Sequence, residues 1–155
     1  TSRTADGTLS LEITGQYRQG WLHAARVVPG PDAPDWVAAV PAASRAAIGA
    51  AEAGTTVTAM SDAAGPSLAA LPPGATWRVS WVDQVDMATY GDVVPGATDA
   101  DAPPAGSVGV LTVEVLLPDG TRVAAADTVL VGAHGREILT GTADPAAPGP
   151  EKDAR

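Results

Sequence analysis

The stretch TWRVSWVDQVDM, residues 76–87, places two of the four tryptophans of the chain beside an arginine and two aspartates. Side chains alternate along a β-strand with a rise of about 3.3 Å per residue, so Trp77 and Trp81 share one face and lie ~13 Å apart. Two indole rings at this spacing can stack on sugar rings or on a flat aromatic ligand. Together with Arg78 and Tyr90, they form the candidate ligand-binding set of this sequence.

The same stretch also fits a strand that is buried in a hydrophobic core. The chain has four tryptophans, two tyrosines and no phenylalanine, and alanine contributes far less on burial than the ~1.5–3 kcal/mol of a valine or leucine. The tryptophans must therefore supply much of the core volume. We predict that Trp77 and Trp81 are core residues, whereas a carbohydrate-binding module that uses them requires both rings to be exposed.

An acid–base group is the second chemistry that the sequence offers. Histidine titrates near neutral pH and is a common general base, and His23 follows Trp21 by two residues in a strand-like segment. In an enzyme built on a small β-barrel, His23, Asp83 or Asp86 would supply this group. The cavity of such a barrel would be lined by Trp21, Trp77, Trp81 and Tyr90. No G-x-S-x-G motif accompanies these residues, so the preferred interpretation assigns no catalytic residue.

Metal and cofactor sites are not predicted. The chain has no cysteine and two histidines, His23 and His134, which lack the spacing of a metal-binding pair. Asp99 and Asp101 lack the glycine and the closing glutamate of a calcium-binding loop, and we interpret them as part of a solvated acidic loop. The single lysine, Lys152, is near the end of the chain, and no glycine-rich loop followed by a lysine, as a phosphate-binding loop requires, is present in the sequence.

The charge of the chain narrows the class of partner. A formal net charge of −9 and a pI of about 4.4 argue against nucleic acid and anionic lipid, since both are bound through lysine and arginine. No apolar run approaches the roughly 18 residues of a membrane span. We therefore expect a protein partner or self-assembly rather than a small molecule. The sequence leaves the location open; because the chain begins at Thr1 rather than Met, it favours a secreted or other extracytoplasmic location, with a virion as the alternative.

Hydrophobic periodicity predicts a mainly β fold. Apolar and polar residues alternate in several short segments, as they do in half-buried strands. The predicted strands are residues 8–14, 21–28, 55–60, 76–82, 108–117, 121–131 and 136–140, and the turn PDG joins 108–117 to 121–131 as a long hairpin. One short helix is predicted over about 41–53, between Pro41 and Gly54. The sequence thus indicates an antiparallel β-sandwich or small β-barrel of about six to seven strands with one helix.

A single domain accounts for most of the chain. We assign residues 1–141 to one β-rich domain and residues 142–155 to a flexible tail rich in Pro, Ala and Gly. The sequence favours a non-catalytic β-domain that acts in binding or assembly, as a surface, secreted or virion-type structural module. The β-barrel enzyme and the carbohydrate-binding module remain as alternatives.

Overall fold

The computed structural model describes residues 2–3, 7–17, 20–83, 102–133 and 135–141. The strands are β1 (Ser2–Arg3), β2 (Leu9–Tyr17), β3 (Gly20–Val28), β4 (Thr76–Asp83), β5 (Val108–Leu116), β6 (Arg122–Gly132) and β7 (Gly135–Ile138). The helices are α1 (Asp35–Ala50) and α2 (Val57–Ala64), and a 3₁₀ turn, Gly65–Leu68, follows α2.

The strands form one open antiparallel sheet in the order β1-β2-β3-β6-β5-β4, with β7 paired to β6. The predicted mainly-β class is confirmed. Two helices pack on one face of the sheet, where a sandwich would place a second sheet, and the sheet is not closed into a barrel. The finer arrangement depends on strand order, which alternation along a sequence does not encode.

The β5–β6 hairpin has the register that its turn predicts. Val108 pairs with Leu130 at one end and Leu116 pairs with Arg122 at the other, without interruption. In the turn, the Asp119 carboxylate accepts a hydrogen bond of 2.8 Å from the backbone N–H of Thr121. Gly120 adopts a φ of 84°, a conformation that favours glycine. This hairpin forms the centre of the sheet.

Helix α1 begins earlier than the predicted helix of residues 41–53. It starts at Asp35 and contains Pro41, because Val37 and Val40 extend its buried face toward the N-terminus. A proline inside a helix costs about 3 kcal/mol, which the burial of these side chains must offset. The helix ends at Ala50, whose successor Ala51 donates its N–H to the Ile48 carbonyl.

Helix α2 replaces the strand that the β-branched run of residues 55–60 predicts. Thr56 caps the helix, since its hydroxyl accepts a hydrogen bond of 3.2 Å from the N–H of Ala59. Val57, Met60 and Ala64 are buried at helical spacing. The strand prediction was wrong because burial at this spacing outweighs the weak strand preference of valine and threonine.

The hydrophobic core lies between the helices and the sheet. Alternate residues of β4 and β5 face it, among them Trp81 and Val113, and alanines of α1 allow the helix to approach the sheet closely. The core residues include Val40, Ala43, Ala47, Ile48, Val57, Met60, Val79, Trp81, Leu111, Val113, Val115, Val123, Val129 and Val131.

Arg26 connects β3 to the rest of the sheet. The pairing of β3 with β6 has a single residue pair, Ala25 with Ala126. Beside it, the Arg26 guanidinium donates hydrogen bonds to the Ala126 carbonyl (2.7 Å), the Asp127 carboxylate (2.5 Å) and the Thr140 carbonyl (2.8 Å). This cluster supplies the contacts that a longer ladder would otherwise make, and it sets the position of β2 and β3 against β6.

Candidate functional site

The face of the sheet opposite the helices is the candidate site, and we call it the open face. One row of cross-strand partners runs through it, and its members are Glu12, Ala25, Ala126, Thr112 and Ser80. The next row contains Arg78, Glu114 and Ala124. Alanines form the floor of this face, and Ala25, Ala124 and Ala126 are all buried although they lie outside the helix-facing core.

Four charged residues, which we call the ion-pair ladder, cross the open face. Arg78 of β4 binds Glu114 of β5 at 3.0 Å, Arg122 of β6 binds the same carboxylate at 3.0 Å, and Arg122 also binds Glu12 of β2 at 2.6 Å. Glu114 is the least accessible member, with 14% of its side chain exposed, whereas 72% of Arg78 is exposed. The charges alternate in sign from one side of the sheet to the other.

The ladder stabilises its own ionised forms. Burial raises the pKa of Glu114, but the hydrogen bonds and positive charges of Arg78 and Arg122 outweigh burial and hold this pKa below its usual value. Burial likewise lowers the pKa of Arg122, and contacts with Glu12 and Glu114 more than compensate, so that it is raised. Glu114 and Arg122 therefore keep their charges near neutral pH.

A small cavity opens where β4 begins. Its volume is about 260 Å³, and it is lined by Thr76, Trp77, Arg78, Glu114 and Leu116. Small-molecule pockets usually measure roughly 300–1,000 Å³, so this one is small. It combines the apolar surface of Trp77 and Leu116 with the charged side of the ladder.

The predicted ligand-binding residues are divided between the two faces of the sheet. Trp81 is 2% exposed and lies in the core, and Trp77 packs against the edge of the core beside Gly65. Arg78 lies on the open face. The prediction that the two tryptophans belong to the core agrees with this placement, and the exposure of both rings that carbohydrate binding needs is not met. Tyr90 lies outside the described residues.

The acid–base candidates do not converge in the described part of the chain. His23 lies on β3, where its Nδ1 is 2.9 Å from the Thr14 hydroxyl and its backbone N–H donates to Thr128. Asp83 ends β4, and two strands separate β3 from β4, which corresponds to about 14 Å at the usual strand spacing. Asp86 lies outside the described residues.

The remaining predictions concern metal sites, membrane-spanning helices and residues that lie outside the described ranges. Among the described residues, no three His, Cys, Asp or Glu side chains gather as a metal site would require. The same residues include no helix that is long and apolar enough to cross a membrane. The acidic residues Asp99 and Asp101, His134, and the tail of residues 142–155 lie outside the described ranges, so their predicted roles stay predictions.

Part of the ladder could have been found from the sequence. The PDG turn fixes the register of β5 against β6, and this register places Glu114 and Arg122 on the same face, two residues out of line. Their opposite charges were the available signal. Glu12 and Arg78 come from strands whose positions in the sheet are not encoded locally, so the sequence does not predict that they join the ladder.

No protein-family model matches the chain, and no curated protein matches its sequence. Solved structures are similar in fold. The N-terminal domain of the FACT complex subunit SPT16 from chickpea aligns with 90% of this chain at 14% identity and a TM-score of 0.67. An X-Pro aminopeptidase from Thermotoga maritima aligns with 87% at 16% identity and a TM-score of 0.66.

A methionine aminopeptidase, also from Thermotoga maritima, aligns with 87% of the chain at 16% identity and a TM-score of 0.60. The chain spans 36% of the SPT16 domain, 40% of the X-Pro aminopeptidase and 64% of the methionine aminopeptidase. At these identities the similarity shows the fold alone. The antiparallel sheet with helices on one face is therefore an arrangement that also occurs in larger proteins.

Proposed function

We propose that this chain is a non-catalytic domain that acts in binding or assembly, through protein contacts on the open face of its sheet. The observation that carries the proposal is the ion-pair ladder over a floor of alanines. The floor alanines are themselves covered, and the ladder holds charged groups in fixed positions across the sheet. Fixed charges of both signs favour specific recognition of a partner surface.

The ladder is self-complementary, which favours a second copy of the chain as the partner. From β2 to β4 its charges read negative, positive, negative and positive, at Glu12, Arg122, Glu114 and Arg78. A two-fold axis that lies between two open faces and runs parallel to the strands reverses this order, so each charge of one copy meets an opposite charge of the other. Isologous contacts of this kind are the commonest in homodimers.

The structural neighbours are compatible with this proposal without selecting it. They include proteins named as aminopeptidases and one named as a subunit of a complex. The enzyme alternative was built on a small closed barrel with one acid–base group from His23, Asp83 or Asp86, and the described sheet is open. Binding or assembly is therefore the function that we carry forward.

Sedimentation velocity of the whole chain over a roughly 100-fold concentration range tests the proposal. Thr112 is at the centre of the open face, and Thr112→Lys adds a long charged side chain there. Ile13→Lys is the matched control, because Ile13 is already 65% exposed and lies on the opposite face of β2 from Glu12. We expect wild type and Ile13→Lys to associate with increasing concentration and Thr112→Lys to stay monomeric. A wild-type chain that is monomeric throughout would contradict self-assembly.

A further inference from the structure

The outer edge of β4 is a second surface with recognition chemistry. β4 is the terminal strand of the sheet, and all eight of its residues pair with β5 from Thr76 with Leu116 to Asp83 with Gly109. Within the described residues, no strand pairs with its other side, and no backbone hydrogen bond reaches residues 76–80 from that side. Half of the backbone groups of this segment are therefore directed away from the sheet.

Among the described residues, this edge lacks several of the features that usually prevent strands from pairing, although the exposed charge of Arg78 is one such feature. Proteins shield sheet edges with proline, lysine, bulges or very short strands. The β4 sequence, TWRVSWVD, contains neither proline nor lysine, and its uninterrupted register with β5 leaves no room for a bulge. Its eight residues exceed the usual strand length of about 5–6. An extended chain can add to such an edge through backbone hydrogen bonds.

Arg78 determines which charge an added strand should carry. Its Nε and Nη2 bind the Glu114 carboxylate at 3.3 and 3.0 Å, and a guanidinium has further N–H donors. Because the side chain is 72% exposed, those donors remain accessible at the edge. A residue directly opposite Arg78 on an added strand would lie within reach of them, and a carboxylate is the group that they bind best.

The small cavity determines which kind of side chain an added strand should carry opposite Thr76. Thr76 is two residues from Arg78 and on the same face, and it lines the cavity with Trp77 and Leu116. Leu116 is a large apolar side chain that is 44% exposed. An apolar side chain opposite Thr76 would cover Leu116 and fill part of the 260 Å³ volume.

We propose that the outer edge of β4 binds an extended peptide, with one carboxylate opposite Arg78 and an apolar side chain, two residues away, in the cavity beside Leu116. The inference names the partner chemistry and rests on the proposed binding function, although it uses the edge of β4, which shares Arg78 with the ion-pair ladder. The net charge of −9 disfavours a polyacidic segment, so the peptide carries a single acidic residue among neutral ones.

A second copy of β4 does not meet these requirements. The only acidic residue of β4 is Asp83. When two identical edges pair antiparallel, opposite positions are both odd-numbered or both even-numbered, and the positions 78 and 83 differ by five. No antiparallel pairing of two β4 strands therefore places a carboxylate opposite Arg78. An added strand that runs antiparallel to β4 must therefore come from a different segment.

Synthetic peptides test the proposal on the whole chain. The probe alternates valine and threonine around one central glutamate, and a matched peptide has lysine in place of glutamate. A third peptide keeps the glutamate but is N-methylated at alternate residues, so that it cannot donate strand hydrogen bonds. Binding is measured by NMR titration, together with amide hydrogen exchange of residues 76–80.

We expect the glutamate peptide to bind roughly tenfold more tightly than the lysine peptide and to slow amide exchange at alternate residues of 76–80. Arg78→Glu should reverse the preference between the two peptides, and Arg78→Gln should abolish it. Arg45→Glu is the matched control, because Arg45 is exposed on α1 away from the edge. It should leave the preference unchanged.

Two results would overturn the proposal. One is the absence of binding by the glutamate peptide at about 1 mM, the weak end of specific recognition. The other is equal binding by the N-methylated peptide, which would show that the strand edge is not used. If wild type self-associates and Thr112→Lys does not, either result refutes the edge site while the proposed function stands. If the chain is monomeric and the peptide binds as described, assembly through the open face fails instead.

Discussion

Gly109 is a glycine because the Trp81 indole lies where its side chain would be. A Cβ added at Gly109 would overlap the indole atoms Cε2, Cζ2 and Nε1. Trp81 is buried and cannot move without disturbing the core. We expect Gly109→Ala to lower the free energy of unfolding by about 1–3 kcal/mol, as overpacking does, when measured by urea denaturation.

Gly15→Ala is the matched control for this prediction. Gly15 also lies in a strand, but no atom is within 4 Å of the position of its added Cβ. We expect the free energy of unfolding of Gly15→Ala to equal or slightly exceed that of wild type, since alanine restricts the conformations of the unfolded chain. Equal stability of the two variants would show that the indole does not occupy this position.

Glu114 makes the stability of the sheet depend on pH. Because burial is outweighed by Arg78 and Arg122, the pKa of Glu114 is lower in the folded chain than in the unfolded chain. Its contribution is thus complete above its usual pKa of 4.5 and is lost as the pH falls through the lower folded value. We expect Glu114→Gln to be destabilised by about 1–2 kcal/mol at pH 7 and to approach wild type near pH 3, in urea unfolding.

Glu12→Gln provides the comparison for Glu114→Gln. Within the described ranges, the Glu12 carboxylate binds Arg122 alone and the side chain is 45% exposed, so solvent screens this ion pair more strongly than those of Glu114. We expect a loss of about 0–1 kcal/mol at pH 7. A larger loss for Glu12→Gln than for Glu114→Gln would mean that Glu114 is not the central residue of the ladder.

At the level of elements, the sequence predicts those strands and turns whose conformation is determined by residues close together in the chain. The β5–β6 hairpin follows from PDG and from alternation on both sides of it, and its observed register agrees. Helix α2 was missed because Thr55, Thr56 and Val57 favour strands, although Val57, Met60 and Ala64 already show helical spacing. The buried side of α2 packs mainly against α1 and also against β4, which lies farther along the chain. Local preference therefore misled the prediction where distant packing decides.

The start of α2 depends on the Thr56 side chain. Its hydroxyl accepts the Ala59 N–H at 3.2 Å and satisfies a donor that the helix itself leaves free. We expect Thr56→Ala to be destabilised by about 0.5–2 kcal/mol and Thr56→Ser to retain most of the wild-type stability, because serine is an equivalent cap. Thermal unfolding followed by circular dichroism measures both. Equal losses for alanine and serine would assign the effect to the methyl group instead.

At the level of the whole molecule, the candidate site depends on strand order. Glu12 and Arg78 are 66 positions apart in the chain, and they join one ladder only because β6 and β5 lie between β3 and β4. The net charge led us to expect a partner other than nucleic acid or lipid, but composition gives no position for a site. The open face and the ion-pair ladder on it can be identified only when the strand order of the sheet is known.

The net charge of −9 sets the response of the whole chain to salt. Raising the ionic strength from about 0.01 to about 0.15 M shortens the Debye length from roughly 30 to roughly 8 Å. Repulsion among distant carboxylates is then screened, whereas ladder contacts of 2.6–3.0 Å are weakened much less. We expect the urea midpoint at pH 7 to rise with salt.

Near the pI of about 4.4 the net repulsion disappears, and salt should leave the midpoint unchanged or lower it. A midpoint that falls with salt at pH 7 would show that local ion pairs, rather than net charge, dominate the electrostatic free energy of this fold.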